Sequence, residues 1–304
     1  MRVATHTMNS TLLAQALEAQ GRYNQALVEQ ASGLKSESLS GLDGQAGQVV
    51  SLTADLAASE HLVSQAETAA SQVEAAYAAI DGMLDILSST STSVAAQISG
   101  SSDGSDTSTL QDKAAAWLAD LQTLLNTSQG DTHVFAGTLG SRAPVDVDAA
   151  GYDPLADPTQ PDTGYYQGGA EPRSLMLGGE QSLTHGVTAD EKAFEQALRA
   201  LAMLADDANQ PLTTATLGEA QALIDQAVSG MGALQERLSA QSDSLETLSD
   251  VQTEFQLYAA ALLEDVTSVD VAESAAKVSE RELVLQASYA ALSSLKSLSL
   301  VDYL

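Results

Sequence analysis

The strongest constraint on the fold is a repeat of mostly apolar residues at alternating steps of three and four. This is the spacing of a helix that packs against another helix, and we call each such row a seam. The first long seam consists of Val49, Leu52, Leu56, Ser59, Val63, Ala66, Ala70, Val73, Tyr77, Ile80, Leu84, Leu87, Ser91, Val94 and Ile98. The second consists of Leu217, Ala220, Ile224, Ala227, Met231, Leu234, Leu238, Gln241, Leu245, Leu248, Gln252, Phe255, Ala259, Leu262, Val266 and Val269. The sequence therefore predicts a mainly α protein with long packed helices.

Two shorter seams lie near the ends of the chain, and each has a second apolar stripe beside it. The N-terminal seam consists of Leu12, Ala16, Ala19, Tyr23, Ala26, Gln30 and Gly33, and its second stripe of Leu13, Leu17, Leu27 and Leu34. The C-terminal seam consists of Val271, Ala275, Val278, Leu285, Tyr289 and Leu292, and its second stripe of Leu283, Ala287, Leu295 and Leu298. One helical partner covers one stripe well. We therefore expect the second C-terminal stripe to face another copy of the chain.

The middle of the chain has a different composition. Five of the six prolines lie between Ser141 and Gly186, together with several glycines. Within this segment 165–167 and 173–177 have the residues of short strands, and 132–138 precedes it as another strand entering a turn. The sequence predicts a small β-rich insert here.

Shorter helices are predicted beside the insert from a capping Thr followed three residues later by an acidic residue. These pairs are Thr109 with Asp112, Thr188 with Glu191, and Thr216 with Glu219. The helix after Thr188 has an apolar face made of Phe194, Leu198, Leu201 and Leu204.

The seams are arranged symmetrically about the insert, with a glycine- and serine-rich break at 36–47 and a change of phase between Val269 and Val271. The simplest fold pairs the first seam with the last and the two long seams with each other, as antiparallel helices. We expect residues 1–43 and 269–304 to form a terminal coiled-coil domain, 44–140 and 187–268 a helical rod domain, and 141–186 the β-rich outer insert.

Charge and composition exclude several classes of function. The formal net charge is -29, so a nucleic acid or an anionic membrane surface is an unlikely partner. The chain has no Cys, which excludes disulfides and thiolate metal sites. A secretory signal and a membrane-spanning stretch are not recognisable in the sequence, which predicts a cytoplasmic location or export without a cleaved signal.

Polar residues do not form a recognisable catalytic or metal-binding pattern. The four His residues, at 6, 61, 133 and 185, are far apart in sequence and do not form a zinc motif. Asp153, Asp157 and Asp162 lack the Gly and terminal Glu of a calcium loop. We expect solvated or locally hydrogen-bonded side chains at these positions, no cofactor, and no enzymatic activity.

Several short motifs resemble those of the flagellin superfamily, and in particular the hook–filament junction family known as hook-associated protein 3. The opening Met1–Thr5, the Phe-Ala-Gly-Thr segment at 135–138, and Tyr166-Gln167-Gly168 followed by Arg173 are similar to segments of that family. The most specific resemblance is at the end of the chain, in residues 286–289 and in Leu298-Ser299-Leu300-Val301-Asp302-Tyr303-Leu304.

The resemblance implies a structural subunit of the bacterial flagellum that joins hook-associated protein 1 to the flagellin filament. It also implies extracellular location, type III export without a cleaved signal, a cytoplasmic export chaperone, and a ring of copies. Contact with partners would then involve the terminal helices, including Leu300, Tyr303 and Leu304 at the extreme end. Two alternatives remain open at the level of the sequence: a flagellin filament subunit, and a helical secreted adaptor that does not polymerise.

Overall fold

The computed structural model describes residues 2–42, 44–100, 104–157, 160–179, 181–206 and 212–301, without the side chains of residues 2–6, 9, 104–107 and 295–301. The described helices are α1 (Arg2–Ser32), α2 (Ala46–Ser99), α3 (Gly104–Leu125), α4 (Lys192–Ala205), α5 (Thr214–Thr267) and α6 (Val271–Val301). A short 3-10 helix, Leu39–Gly41, follows α1. The described strands are β1 (Ser128–Gln129), β2 (Thr132–His133), β3 (Arg173–Gly178) and β4 (Gln181–His185). The predicted fold class, mainly α with a small β-containing insert, is confirmed.

The chain divides into two compact units. The first contains Met1–Ser59 and Glu254–Leu304, and the second contains Glu60–Thr253. In each unit a hydrogen bond joins α2 to α5: Gln256 Nε2 donates to Ser59 Oγ at 3.2 Å in the first, and Gln221 Nε2 donates to Ser91 Oγ at 2.9 Å in the second. Within the second unit, residues 67–77 of α2 lie beside Leu238, Ser239 and Ser242 of α5 while Ser91 pairs with Gln221, so the two helices pack antiparallel there, as their seams predict.

The core of the second unit is formed by α2, α3, α4 and α5. Its largest inaccessible aliphatic side chains include Ile80, Met83, Leu87, Leu121, Leu125, Leu198, Leu201, Leu204 and Ile224. The α5 seam is buried along most of this unit, whereas Tyr77 and Ile98 of the α2 seam are 43% and 41% exposed. At Tyr77 the packed face passes instead through the neighbouring Ala76, which is 1% exposed between the buried Val73 and Ile80.

Helix α4 is the most enclosed element of this core. Its predicted apolar face, Phe194, Leu198, Leu201 and Leu204, is fully buried. Phe194 packs edge-on against Phe135, with ring centroids 5.5 Å apart. The polar residues Glu195, Gln196 and Arg199 on the opposite face are buried as well, so this helix is covered on both sides.

The predicted starts of three helices are wrong by a few residues. Thr109 lies inside α3, which begins at Gly104. Thr188 is not the cap of α4, because the N–H of Ala189 is held by the carbonyl of Phe135 and the helix begins only at Lys192. The cap of α5 is Thr213, whose Oγ1 accepts the N–H of Thr216 at 3.1 Å. An upstream Thr with the same chemistry therefore replaces the predicted cap at Thr216.

The strands form two antiparallel pairs. β1 pairs with β2, so the predicted strand at Thr132 has its partner in the immediately preceding residues. β3 pairs with β4 in a hairpin with Arg173 opposite His185, and the prediction of a strand at 173–177 is confirmed. The prediction of a strand at 165–167 is wrong, because Tyr166 makes only an isolated bridge with Val145.

Candidate assembly site on the terminal helices

The first unit contains a hairpin of α1 and α6, which pack against each other as predicted for the first and last seams. Leu34, just after α1, pairs with Ser268, which lies between α5 and α6, in an isolated antiparallel bridge. Helix α1 runs toward this bridge and α6 runs away from it, so the two are antiparallel. Asp270 starts α6, since its Oδ1 accepts the N–H of Ala272 at 2.7 Å.

Four hydrogen bonds around this residue pair connect the end of α1 to the end of α5, and we call them together the Lys35 bridge. The N–H of Lys35 donates to the carbonyl of Thr267 at 2.7 Å, and the N–H of Val269 donates to that of Gly33 at 2.9 Å. The ammonium of Lys35 donates to the carbonyls of Asp265 and Val266 at 2.8 and 2.9 Å. These carbonyls belong to the last turn of α5, where the helix provides no N–H and a cation is favoured.

The predicted N-terminal seam faces α6. Ala16, Ala19 and Ala26 are buried, and Leu12 and Tyr23 are half-buried. Small alanines along one face allow the two helix backbones to approach closely. The first five members of the predicted seam are therefore covered, whereas its sixth member, Gln30, is exposed.

The predicted C-terminal seam is only partly correct. Ala275, Val278, Leu285 and Leu292 are half-buried, as expected of members of the seam. Val271 and Tyr289 do not pack against α1, since 72% and 48% of their surface is exposed, and their contact with an assembly partner stays a prediction.

The neighbouring residues Ser274 and Ser288 turn inward in place of Val271 and Tyr289, and Ser274 is only 4% exposed. Ser288 Oγ donates to the carbonyl of Val284 at 2.8 Å, so its hydroxyl is satisfied within its own helix. A search for apolar residues alone misses small serines that fit a close helix contact.

The second stripes are not covered by the rest of the chain. Leu13, Leu17 and Leu27 of α1 are 53%, 60% and 39% exposed, and Leu283 of α6 is 68% exposed. Ala287 is exposed too. Contact of this stripe with another copy stays a prediction. The side chains of Leu295, Leu298 and Leu300 lie outside the described part of the structure, as do Tyr303 and Leu304 entirely.

The two terminal helices carry no net charge. Helix α1 contains two basic and two acidic residues, and α6 contains three of each. The formal charge of -29 therefore lies entirely in the rest of the chain. An apolar stripe on an uncharged helix can meet a similar surface without direct charge repulsion.

Asp162 and His133, which the sequence analysis considered as possible metal ligands, make local hydrogen bonds. Asp162 Oδ2 accepts the N–H of Asp153 at 2.8 Å and its Oδ1 accepts that of Gly164, so it caps turns of the insert. His133 Nδ1 lies 2.8 Å from the carbonyl of Asn126. Among the described residues, groups of three or more His, Cys, Asp or Glu side chains suited to a metal ion do not occur.

One buried ion pair was not anticipated from the sequence. Arg199 and Glu195 are 3.2 Å apart on α4, with 6% and 1% of their side chains exposed. Arg199 also donates to the carbonyl of Gln160 at 2.7 Å, and Glu195 accepts the N–H of Asp162 at 3.3 Å. Burial raises the pKa of Glu195 above its ordinary value, and the positive charge of Arg199 opposes this shift. The pair attaches the insert to α4.

Within the described residues, the helices are too polar for any of them to cross a membrane. The exposed leucines of α1 and α6 are isolated stripes on otherwise polar helices.

The comparisons with known proteins bear directly on α5 and α6. Residues 214–304 match the family model of the bacterial flagellin C-terminal helical region. This match begins at the first residue of α5 and covers both helices. The chain has no match among the curated protein sequences.

Solved structures share the fold at low sequence identity. One is described as a flagellar hook-associated protein from Vibrio parahaemolyticus, with 14% identity and a TM-score of 0.59 over 72% of this chain and 96% of that one. Another is FlgL of Bacillus cereus, with 12% identity and a TM-score of 0.54 over 71% of this chain and 99% of that one. The chain thus combines a flagellin-type C-terminal helical region, residues 214–304, with the fold of flagellar hook-associated proteins.

Proposed function

We propose that this chain is a structural, non-enzymatic subunit of the bacterial flagellum that joins hook-associated protein 1 to the flagellin filament. The observation that carries the proposal is the α1–α6 hairpin, which leaves Leu13, Leu17 and Leu27 of α1 and Leu283 of α6 exposed. One of these helices belongs to the region that matches flagellin. The fold shared with flagellar hook-associated proteins favours the junction.

The exposed stripes provide a physical reason for assembly. Leu13, Leu17 and Leu283 each expose more than half of their surface. Full burial of a leucine stabilises by about 1.5–3 kcal/mol, so covering what remains exposed contributes roughly 1–2 kcal/mol per leucine. Several such residues per hairpin, repeated in every copy of a ring, would give enough free energy to order helices that are marginal alone.

The same properties suit export and late assembly. Helices rich in small residues are weakly stable alone, which is compatible with passage through a narrow type III channel without a cleaved signal. A cytoplasmic chaperone would cover the exposed stripe of α6 before export. Outside the cell, neighbouring copies, hook-associated protein 1 and flagellin would replace it.

A flagellin filament subunit is the second candidate, favoured by the name of the family model that residues 214–304 match. The two candidates differ in copy number and position. A junction protein occupies one narrow zone between hook and filament, whereas flagellin extends along the entire filament.

Gene deletion combined with electron microscopy separates these functions. We expect the deletion strain to have hooks without filaments and to release flagellin into the medium, and gold-labelled antibody to mark only the hook–filament boundary of the wild type. Label along the filament would instead identify a flagellin. Normal filaments in the deletion strain, with the protein free in the medium, would favour the non-polymerising adaptor and overturn both.

The assembly surface can be tested with matched exposed substitutions. We expect Leu17→Glu and Leu283→Glu to prevent incorporation into flagella, because each places a charge on an apolar contact. Met176→Glu is the control, since Met176 is 59% exposed on β3 in the other unit. Circular dichroism should show the helix content of all three variants unchanged. Incorporation of both leucine variants at the level of the control would refute the assignment of this surface.

A further inference from the structure

A cavity of about 270 Å³ lies in the second unit where α2 meets the β3–β4 hairpin. His61 and His185 line it together with Gln65, Gln72 and Leu175. His61 is exposed at its rim, whereas His185, the last residue of β4, is only 7% exposed. The two imidazoles thus face the same cavity from very different environments.

Arg173 holds the hairpin in place beside this cavity. Its Nη1 donates to Gln72 Oε1 of α2 at 2.9 Å, and its Nε donates to the carbonyl of Gly137 at 2.9 Å. In the β3–β4 ladder Arg173 stands directly opposite His185. The hairpin therefore docks on the rest of the unit next to a fixed positive charge.

The surroundings of His185 favour the neutral imidazole over the protonated imidazolium. Among the described residues, its Nδ1 has no hydrogen-bond partner although it is inaccessible to solvent. Burial lowers the pKa of His185 below its ordinary value, the backbone of Leu183 partly opposes this, and the charge of Arg173 lowers it further. An imidazolium at this position would face the positive charge of Arg173 with its Nδ1 buried and without a hydrogen-bond partner among the described residues, and a metal cation would meet the same positive charge.

We propose that His185 makes docking of the β3–β4 hairpin sensitive to pH, so that protonation of its imidazole releases the hairpin from α2. The groups that face His185 are Arg173 from β3 and His61 across the cavity, while Ser64, Gln65, Thr68 and Gln72 of α2 are uncharged. Both titratable or charged neighbours are basic, so acidification adds repulsion and no compensating attraction. This inference does not depend on the proposed function.

The direction of the effect follows from the two protonation equilibria. With the hairpin released, His185 takes up a proton near its ordinary pKa of about 6.5, whereas the docked form resists protonation to lower pH. The contribution of neutral His185 to docking is therefore fully present above about pH 6.5 and decreases as the pH falls below that value. For a docked form that stays neutral, the opening equilibrium rises about eightfold between pH 7 and pH 5.5.

Hydrogen exchange of the β3–β4 amides in the full chain measures this opening, after correction for the intrinsic pH dependence of exchange. We expect the wild type to show a rise of up to about eightfold and His185→Gln to show almost none. His61→Gln, the exposed control, should retain most of the rise, because water screens the charge of an exposed imidazole. An identical pH dependence in the wild type and His185→Gln would overturn the proposal.

A second measurement needs no substitution at the buried site. In NMR titration of the wild-type protein, we expect His185 to titrate below the ordinary histidine pKa of about 6.5, and the signals of β3 and β4 to change together with it. Titration of His185 at or above that value would refute the mechanism, even if His185→Gln fails to fold.

Discussion

We expect removal of the Lys35 ammonium to destabilise the Lys35 bridge by a measurable amount. Lys35→Met keeps most of the aliphatic stem and deletes the donors to the carbonyls of Asp265 and Val266, at 2.8 and 2.9 Å. A hydrogen bond from a charged group contributes about 1.5–3 kcal/mol when protected from water, and a cation at a helix C-terminus about 0.3–1 kcal/mol. Because Lys35 is largely exposed, we expect a net loss of about 1–2 kcal/mol.

Hydrogen exchange reports this loss at the amides that close the bridge, those of Lys35 and Val269. A loss of about 1–2 kcal/mol corresponds to exchange roughly 5–30 times faster in Lys35→Met. Lys277→Met is the control, since it removes an exposed ion pair with Glu273 on α6, and water screens such a pair so that it contributes little to stability. Equal exchange at the two amides in both variants would refute the idea that the ammonium stabilises the end of α5.

Three further substitutions test the packing described above. Glu195→Gln leaves the buried Arg199 without a counter-charge and should lower the free energy of unfolding by about 3 kcal/mol, as measured by urea denaturation. Gly137→Ala should destabilise by at least about 1–3 kcal/mol, because Gly137 has a φ of 55° and a Cβ would lie 2.4 Å from the carbonyl oxygen of Glu171. Asp270→Ala removes the cap of α6 and should cost about 1 kcal/mol, seen as faster exchange in the first turn of that helix.

Periodicity predicted the helices well because burial of one helix face requires it. The seam of α5 is buried along most of the second unit and the face of α4 around Leu198 and Leu201 is buried throughout, whereas Phe255, a later member of the α5 seam, is 36% exposed. The start of α5 was misplaced because Thr213 and Thr216 have the same capping chemistry, and Thr213 is the one that caps the helix. The start of α4 was misplaced because its cap position is Glu191, which makes no side-chain capping hydrogen bond, so a search for capping side chains does not find it.

The residues that face the partner helix could be predicted well in α1 and less well in α6. In α6 two apolar stripes compete for the partner helix, and the packed face follows the small residues Ser274 and Ser288 instead of Val271 and Tyr289. The buried Glu195 could not be found from the pattern either, since a charged residue on an amphipathic helix is usually solvated. Its partners lie in the insert, which the helix sequence does not reveal.

The absence of net charge on α1 and α6 has a consequence for the kinetics of assembly. Two approaching copies repel each other through the parts of the chain that carry the charge of -29, over a distance of about 8 Å at physiological ionic strength. Added salt should therefore raise the association rate constant. Once the uncharged terminal helices are in contact, salt has little to screen between them, so the dissociation rate constant should change much less.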